Sequence, residues 1–446
     1  MPGTSVKPAG PGLRLIAGKC RTPGLEAPVG WRGSSRHAAI ALAVLAGVAV
    51  LAAGCGQSRP AAGAGAREQV LVGRAEPLHA SSMSPAQVTV AENAFSLALF
   101  GRLCPAKPGA NLLISPESAA EALGMLDAGA RGPTAEALGR LLRLPAWTPG
   151  LVAALARHTA ALARQRQLVV SNQLFEQSGD QPAQRVLDDL RTAYRAGVGV
   201  ADFGDEPAAT DRINAIVARE THGLLPALFP APLPVSTRVV LTDALYLKAS
   251  WRQPFPGASP APFRTAGGRL VQVPVMTSTV PVASYRQAGG WQSATLPYAG
   301  GELAAVALLP PARAAACAVP ALSQWTALTA GTSTRSAAVQ LPRLHLSQTW
   351  DDLQSPLAAM GLPLNGDYTG LGPADSQISD VVQHDAMDLT PAGTTAAAAT
   401  GVAVGTAIRA PAPLTLRFTR PFLLLLEDTA THTPLFLALI TDPSQP

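Results

Sequence analysis

The 446-residue sequence contains only four cysteines and seven histidines, and it lacks the common catalytic signatures. No Gly-x-Ser-x-Gly segment is present to expose a nucleophilic serine, and no His-Glu-x-x-His segment is present to bind a catalytic zinc. The histidines are scattered and show no metal-ligand spacing. We therefore expect no enzyme, no metal site and no cofactor.

The body of the chain also lacks an excess of positive charge. The net charge of the whole sequence is +5, and residues 1–54 alone carry six basic residues against one glutamate. The remaining residues are therefore formally neutral. A nucleic-acid-binding protein concentrates positive charge on its folded part, so we expect no nucleic-acid partner.

The basic N-terminal stretch precedes an uncharged apolar run from Ala38 to Cys55. A positive flank, an apolar centre and small residues at the end are typical of an export signal. The ending Leu-Ala-Ala-Gly-Cys resembles a bacterial lipoprotein signal, in which Cys55 would be lipidated. A plain membrane anchor is the alternative. Both interpretations give the chain a membrane contact and place its body at the outer face of the cytoplasmic membrane or in the extracellular space.

The chain divides into three predicted parts. Residues 1–55 are the export signal, residues 56–83 form a flexible tether rich in Ala, Gly, Ser and Pro, and residues 84–446 form one folded domain. The domain keeps two cysteines, Cys104 and Cys317, whose spacing does not demand a bridge. Two buried or free thiols are the commoner interpretation.

Within the domain, helical patterns come first and strand patterns follow. Ser84 and Pro85 form a helix-start signal, and a later segment places Ile213 and Ile216 on one helical face. From Arg238 onward, apolar or alternating runs separated by glycine and proline indicate strands. This order predicts one α+β domain with large, mostly antiparallel sheets.

Near the C-terminus, the segment from Leu389 to Ile408 contains no charged side chain, and from Gly393 to Ala407 no side chain is larger than valine. From Thr400 onward, β-branched residues occupy every second position, which is the period of a β-strand. The pattern argues against a flexible linker, an alanine-rich helix or low complexity. It predicts a strand that must fit into a confined place.

Several segments resemble, in order, those of the serpin family, and the similarity covers roughly residues 88–443. They are NLLISPESAAEALGMLDAGARGPTAEALGRLL, INAIVARETHGLL, TDALYLKASW, GTTAAAAT and RFTRPFLLLLEDTATHTPLFLALITDP. The resemblance implies the serpin fold, in which helices pack on large, mostly antiparallel β-sheets and a reactive loop is exposed.

The resemblance also implies a function for the small, uncharged run, which is the hinge of the reactive loop in inhibitory serpins. The hinge residues are Gly393, Thr394, Thr395, Ala396, Ala397, Ala398, Ala399 and Thr400. The protein is then expected to be a suicide-substrate inhibitor of serine proteases, which traps the acyl-enzyme when its cleaved loop inserts into the main sheet. A non-inhibitory serpin, acting as a carrier or chaperone, is the alternative. It would be favoured by bulk or charge in the hinge, because such groups resist insertion.

The usual loop length of the family, counted from Gly393, places the bait bond between Ala407 and Ile408. A small bait residue suits an elastase- or subtilisin-like protease. Arg409 is the rival bait residue and would suit a trypsin-like protease. The expected partner is therefore a serine protease of one of these classes.

Further residues match family positions that govern how the sheet opens. Four match the polar cluster where the sheet strands part, and a fifth matches the tryptophan at the entry point of the loop: Ser115, Ser118, Asp243, His384 and Trp251. A hydrogen-bonded latch that controls opening and a set of simply satisfied buried polar groups are both open interpretations.

Two departures from the family concern the approach to the hinge. Pro391 and Ala392 replace the usual acidic pair, and a proline cannot donate a ladder hydrogen bond. The stretch from His384 to Gly393 is one residue shorter than usual, and a slip of one residue reverses the faces of a strand. The expected inward positions, which depend on this register, are Thr394, Ala396, Ala398, Thr400, Val402, Val404 and Thr406.

Overall fold

The structure is a computed structural model that describes residues 70–445, except for residues 165–166, 221–222, 224–225, 332, 334, 374–377 and 395–413. The side chains of residues 169–172 and 243–246 also lie outside the description. Cys55, the hinge from Thr395 onward and the candidate bait residues Ala407, Ile408 and Arg409 are therefore not described. None of the described helices is long and apolar enough to cross a membrane.

Most of the helices come early in the chain, as the sequence predicts. They are α1 (Pro85–Leu103), α2 (Pro116–Gly129), α3 (Gly132–Leu142), α4 (Pro149–Leu162), α5 (Gln184–Tyr194), α6 (Glu206–Glu220), α7 (Leu322–Thr329) and α8 (Gln354–Ala359). Helix α1 begins at the predicted signal, because the Ser84 side chain accepts a hydrogen bond from the backbone N–H of Gln87. In α6, Ile213 and Ile216 are buried together.

Most of the strands come later. They are β1 (Val70–Leu71), β2 (Leu112–Ile114), β3 (Leu168–Gln177), β4 (Val198–Ala201), β5 (Val239–Leu247), β6 (Ala249–Ser250), β7 (Ala258–Arg264), β8 (Leu270–Thr277), β9 (Ala283–Ala288), β10 (Trp291–Pro297), β11 (Leu303–Leu309), β12 (Arg335–Pro342), β13 (Leu344–Trp350), β14 (Ile378–Thr390), β15 (Gly393–Thr394), β16 (Thr415–Arg417), β17 (Phe422–Asp428) and β18 (Pro434–Ile440).

The strands form two large sheets in which most neighbours are antiparallel. Over the described residues, the first sheet has eight strands in the order β1-β4-β3-β5-β14-β15-β6, with β13 also paired to β14. The second has ten strands in the order β2-β18-β17-β11-β10-β9-β12-β8-β7, with β16 beside β12. The predicted α+β class with large, mostly antiparallel sheets is therefore confirmed.

The centre of the first sheet is a parallel pair. Strand β5 pairs directly with β14 from Val239 to Tyr246, opposite Ile378 to Ala386. Beyond this stretch the two strands separate, since β6 continues the course of β5 while β14 runs on to Thr390. Strand β15 lies in the space between them and pairs with both β14 and β6.

The core joins both sheets to the helices. One buried cluster contains Phe95 of α1, Leu123 of α2, Leu241 of β5 and Leu425 of β17. A second cluster lies between the sheets and includes Leu389 at the end of β14. Because large apolar side chains are removed from water on both sides of β14, its register is strongly specified.

The predicted tether, residues 56–83, is wrong for its last part, because the chain from Val70 onward belongs to the folded body. Strand β1 pairs with the edge strand β4. The backbone N–H of Arg74 donates to Asp188 Oδ1 at 2.7 Å, and Ser82 N–H donates to Gly150 O at 3.0 Å. Gly73 lies so close to α5 that a Cβ there would be 2.2 Å from the carbonyl carbon of Leu187. Low-complexity composition did not reveal these backbone contacts.

The interpretation of Cys104 and Cys317 as unpaired thiols is also wrong. The structure joins them in a disulfide that closes a sequence separation of 213 residues. Cys104 lies directly after α1 and is buried, while Cys317 packs against the same core from the loop that follows β11. Sequence spacing could not reveal the pair, because only the fold brings these two loops together.

We expect this disulfide to contribute about 2 to 5 kcal/mol to the free energy of unfolding, because it restricts the unfolded chain over a long loop. Replacing both cysteines by alanine should therefore lower the melting temperature relative to the oxidised protein. Reductant should lower the melting temperature of the wild type and leave that of the double variant unchanged. Equal melting temperatures of wild type and variant under oxidising conditions would contradict this prediction.

Candidate functional site

The first two residues of the predicted hinge form strand β15. Gly393 pairs with Thr390 on β14 and with Ser250 on β6, and Thr394 pairs with Leu389 and Ala249. The start of the hinge therefore already lies inside the first sheet, at the point where β5 and β14 separate. We call this place, formed by Trp251, Tyr298, Thr390, Gly393 and Thr394, the hinge site.

Gly393 is required by close backbone contact. Its φ is +154°, and a Cβ built on it would lie 2.1 Å from the carbonyl oxygen of Ala249. Any larger residue would push β15 away from β6. A glycine at the start of the hinge thus lets the loop enter a gap that has no room for a side chain.

Thr394 is fully buried and faces the interior. Its Oγ1 lies 2.5 Å from the hydroxyl of Tyr298, and the two hydroxyls form a hydrogen bond. Burial raises the pKa of Tyr298 and the bond to Thr394 partly offsets this effect, so the phenol keeps its proton. Because both hydroxyls are satisfied, Thr394 can be buried here without an unpaired polar group.

Trp251 lies at this entry point and contacts the turn that leads into it. Its ring stacks on Tyr298 with centroids 4.5 Å apart, and its indole Nε1–H donates to Thr390 O at 2.9 Å. Its backbone N–H donates to Ala392 O at 3.0 Å. Tyr298 was missed by the sequence reasoning. A tyrosine directly after strand β10 carries no local signal that it will meet the hinge.

The proline before the hinge is accommodated. Pro391 lies in the tight turn between β14 and β15, where no ladder hydrogen bond requires its nitrogen. Its carbonyl accepts a hydrogen bond from the Phe255 N–H at 2.9 Å. The Thr390 hydroxyl donates to Gly393 O at 2.8 Å and closes the turn from the other side. The replacement of the acidic pair therefore leaves the hinge turn intact.

A buried polar group lies where α2 meets the paired strands β5 and β14. Ser115 caps α2 by accepting from the Ser118 N–H at 3.3 Å. The Ser115 N–H donates to Asp385 Oδ2 at 3.3 Å, and Gln383 Nε2 donates to Ser115 O at 2.8 Å. These four residues, Ser115, Ser118, Gln383 and Asp385, are called the opening cluster below. Asp243 pairs through its backbone with Gln383, and its side chain lies outside the description.

The placement of His384 in this cluster is wrong. His384 lies on the opposite face of β14 from Gln383 and Asp385, and its Nδ1 is 2.8 Å from Thr349 Oγ1. The inward polar residues of β14 are therefore Gln383 and Asp385. The stretch before Gly393 is one residue shorter than usual only when it is counted from His384. Counted from Gln383, it has the usual length of the family.

This chain is similar to known proteins in both sequence and structure. The profile of the Serpin family, described as "Serpin (serine protease inhibitor)", matches residues 90–443. Serpin A3-1 from Bos taurus is 28% identical over 367 residues, which cover 79% of this chain and 88% of that protein. Iripin-2 from Ixodes ricinus is 28% identical over 376 residues, which cover 80% of this chain and 93% of that protein.

A solved structure agrees with these sequence matches. Tengpin, a thermophilic serpin in its native state, has a TM-score of 0.74 and 21% identity, covering 83% of this chain and 97% of that chain. At this identity the likeness shows the fold, and the family profile covers most of the sequence. The protein therefore belongs to the serpin family, a family of serine protease inhibitors and not of enzymes, in which some members are non-inhibitory.

The opening cluster makes stability depend on pH. Burial raises the pKa of Asp385 to about 8, although hydrogen bonds from Ser115 and Gln383 act in the opposite direction. An aspartate in an unfolded chain has a pKa of about 3.9. Between these values the folded carboxyl keeps a proton that the unfolded chain has lost. The folded state therefore loses stability as the pH rises from about 4 to about 8.

We expect Asp385→Asn to raise the melting temperature relative to wild type at pH 8, by roughly 1 °C for each kcal/mol gained in a folded body of this size. At pH 5 the gain in melting temperature should be smaller, because burying the protonated wild-type carboxyl costs less folding free energy at that pH. The exposed Asp351→Asn serves as the control and should show no such difference between the two pH values. Parallel pH profiles of wild type and Asp385→Asn would contradict the prediction.

Proposed function

We propose that this serpin is a suicide-substrate inhibitor of serine proteases. The observation that carries the proposal is the position of β15. Gly393 and Thr394 pair with β14 on one side and with β6 on the other, next to the stretch where β5 and β14 pair directly. A cleaved loop can extend from this position by adding residues to a strand that has already begun.

The observed register predicts how the strand would extend. Because Thr394 pairs with Leu389 in an antiparallel arrangement, continuing the ladder places Ala396 opposite Met387, Ala398 opposite Asp385 and Thr400 opposite Gln383. Those three residues of β14 have buried side chains, whereas the residues that alternate with them, His384, Ala386 and Asp388, are only partly buried. Directly opposed residues share a face of the sheet. The inward positions of the hinge are then small and neutral, so insertion meets neither bulk nor charge.

The mechanism follows from this geometry. The serine of the protease attacks the bait bond and forms an acyl-enzyme. The cut loop then inserts between β5 and β14 before water hydrolyses the acyl bond. About fifteen residues at 3.3 Å each would carry the attached enzyme roughly 50 Å. A displacement of 1 Å in an active site can already cost about a hundredfold in rate. Dragging and deforming the protease therefore stops deacylation.

A pair of hinge variants tests insertion. Ala396→Arg places a charge on the inward face, whereas Thr395→Arg places the same charge on the outward face. We expect Ala396→Arg to be cleaved as a substrate, with at least about a tenfold loss of trapped complex, because the buried charge must be desolvated. Thr395→Arg should still form a complex. The measurement is an SDS-resistant band at the summed mass, after mixing with elastase, subtilisin or trypsin.

The same experiment has a second readout. Cleaved wild-type protein and cleaved Thr395→Arg should melt at a much higher temperature than the intact proteins, because the inserted strand completes the sheet. Cleaved Ala396→Arg should not. If cleaved and intact wild type melt together and every protease digests the protein without a trapped complex, the proposal is wrong and a non-inhibitory role is favoured.

We further propose that the bait bond is Ala407–Ile408 and that the target is an elastase- or subtilisin-like protease. The support is the usual loop length of the family, counted from Gly393, which is the first residue of β15. Arg409, which would direct the loop to a trypsin-like protease, is the rival.

N-terminal sequencing of the peptide released from the trapped complex tests the bait bond. We expect the peptide to begin at Ile408. Ala407→Arg should shift the preference of the inhibitor towards trypsin. Arg409→Ala should leave the inhibition of elastase or subtilisin within about threefold of wild type, because residue 409 lies outside the protease pocket that binds the small bait residue. A peptide that begins at Ala410 would assign the bait to Arg409 and overturn the proposal.

We also propose that the protein is exported and held at the outer face of a bacterial membrane through lipid on Cys55. The support is the basic and apolar leader that ends at this cysteine. The disulfide between Cys104 and Cys317 supports export as well, because such bonds persist in oxidising compartments outside the cytoplasm.

A further inference from the structure

Three ionisable side chains from three helices meet in the interior, apart from the hinge site. They are Glu92 of α1, Glu117 of α2 and His158 of α4. Nε2 of His158 lies 2.9 Å from Oε1 of Glu92 and 3.4 Å from Oε1 of Glu117. All three residues are buried, and the exposed fraction of Glu117 and of His158 is 3%.

The spacing of these atoms matches a set of metal ligands. Two ligand atoms that each lie about 2.1 Å from one metal ion are separated by roughly 3.0 to 3.5 Å in tetrahedral or octahedral geometry. The two distances from His158 Nε2 are close to these values, and the three ligand atoms all lie within 4.8 Å of one another. Small side-chain rotations would bring all three onto one ion.

Some buried polar atoms of this group lack a partner. Within the part of the chain that the structure describes, Glu117 Oε2 and His158 Nδ1 have no hydrogen-bond partner. A buried carboxylate oxygen without a partner costs about 1 to 3 kcal/mol or more. Glu92 is better held, because its Oε2 accepts a hydrogen bond from the Thr433 hydroxyl at 3.3 Å, which leaves Oε1 facing His158. His158 Nε2 lies between the two carboxylates, and Glu117 Oε2 and His158 Nδ1 remain as buried polar atoms that this contact does not satisfy.

The structure also provides space and access. A cavity of about 20 Å³ is lined by Glu92, Glu117 and His158, and this volume suffices for one ion or water molecule. A larger neighbouring cavity of about 390 Å³ shares Glu117 and is also lined by Glu121, Glu220 and Arg195. The charged residues that line this cavity are mainly acidic, which favours the approach of a cation.

We propose that Glu92, Glu117 and His158 form a buried binding site for one divalent transition-metal ion, of the Zn²⁺ or Co²⁺ type. Two carboxylate oxygens and one imidazole nitrogen suit such ions, whereas Ca²⁺ and Mg²⁺ prefer oxygen ligands alone. Binding requires the neutral imidazole, so the ion replaces any proton on Nε2. The ligands are 25 and 41 residues apart in sequence, which is why histidine spacing did not reveal them.

A bound ion would join α1, α2 and α4 at the start of α2. Glu117 lies two residues after Ser115, whose backbone N–H is bonded to Asp385 of β14. The ion would therefore hold the helices that lie behind the opening cluster. Since an ion that binds only the folded protein stabilises it, the melting temperature should rise with metal concentration.

The test uses full-length protein freed of metal with a chelator and titrated with Zn²⁺ or Co²⁺ alone. We expect one ion per chain by calorimetry, visible absorption bands from Co²⁺ and a higher melting temperature with Zn²⁺. Glu117→Gln and His158→Gln should each weaken binding at least about tenfold and remove the Co²⁺ bands. His345→Gln, which changes an exposed histidine paired with Asp388, is the matched control and should bind as the wild type does.

Two results would overturn the proposal. One is an absence of stoichiometric binding by the wild type at millimolar Zn²⁺, and the other is unchanged binding in both ligand variants. Metal-free melting curves of each variant show whether it is folded, and Glu92→Gln supplies a third ligand variant if His158→Gln fails to fold. None of these measurements involves a protease, so the metal site and the inhibitory function are tested separately.

Discussion

The direct pairing of β5 with β14 is the interaction on which the rest of this structure depends. The two strands are parallel, and their ladder holds the centre of the first sheet together. An inserted strand would lie antiparallel to both, and it would satisfy backbone groups on each of its edges. The native arrangement therefore omits contacts that the same chain can make. It persists because separating two packed strands presents a barrier, which is a kinetic form of stability.

The hinge site and the opening cluster act at two points along this strand pair. At the hinge site the strands have already separated, and the gap is filled by a glycine with no side chain and a threonine whose hydroxyl is bonded to Tyr298. At the opening cluster the strands are still paired, and Ser115 at the start of α2 is hydrogen-bonded to Gln383 and Asp385 on β14. Insertion must extend the first region into the second, so polar contacts behind β14 bear directly on how readily the sheet opens.

Local pattern predicted the elements and failed where distant segments meet. The cap at Ser84, the buried face of α6 and the strand runs after Arg238 depend on residues a few positions apart, and they were correct. The pairing of Cys104 with Cys317 depends on two loops that only the fold brings together. The chain from Val70 onward looked like a linker because its contacts are mostly made by backbone groups, which composition does not describe.

The sequence alone determined that a small, uncharged segment of strand period follows the last long strand of the first sheet, because these are properties of neighbouring side chains. Only the tertiary structure decided which way its first described residues face, because Thr394 is buried opposite Leu389. Neighbouring residues of a strand point to opposite faces, so choosing His384 or Gln383 as the inward residue reverses every assignment after it. The choice is made by burial against Ser115 on α2, about 270 residues away in sequence, and no local pattern contains that contact.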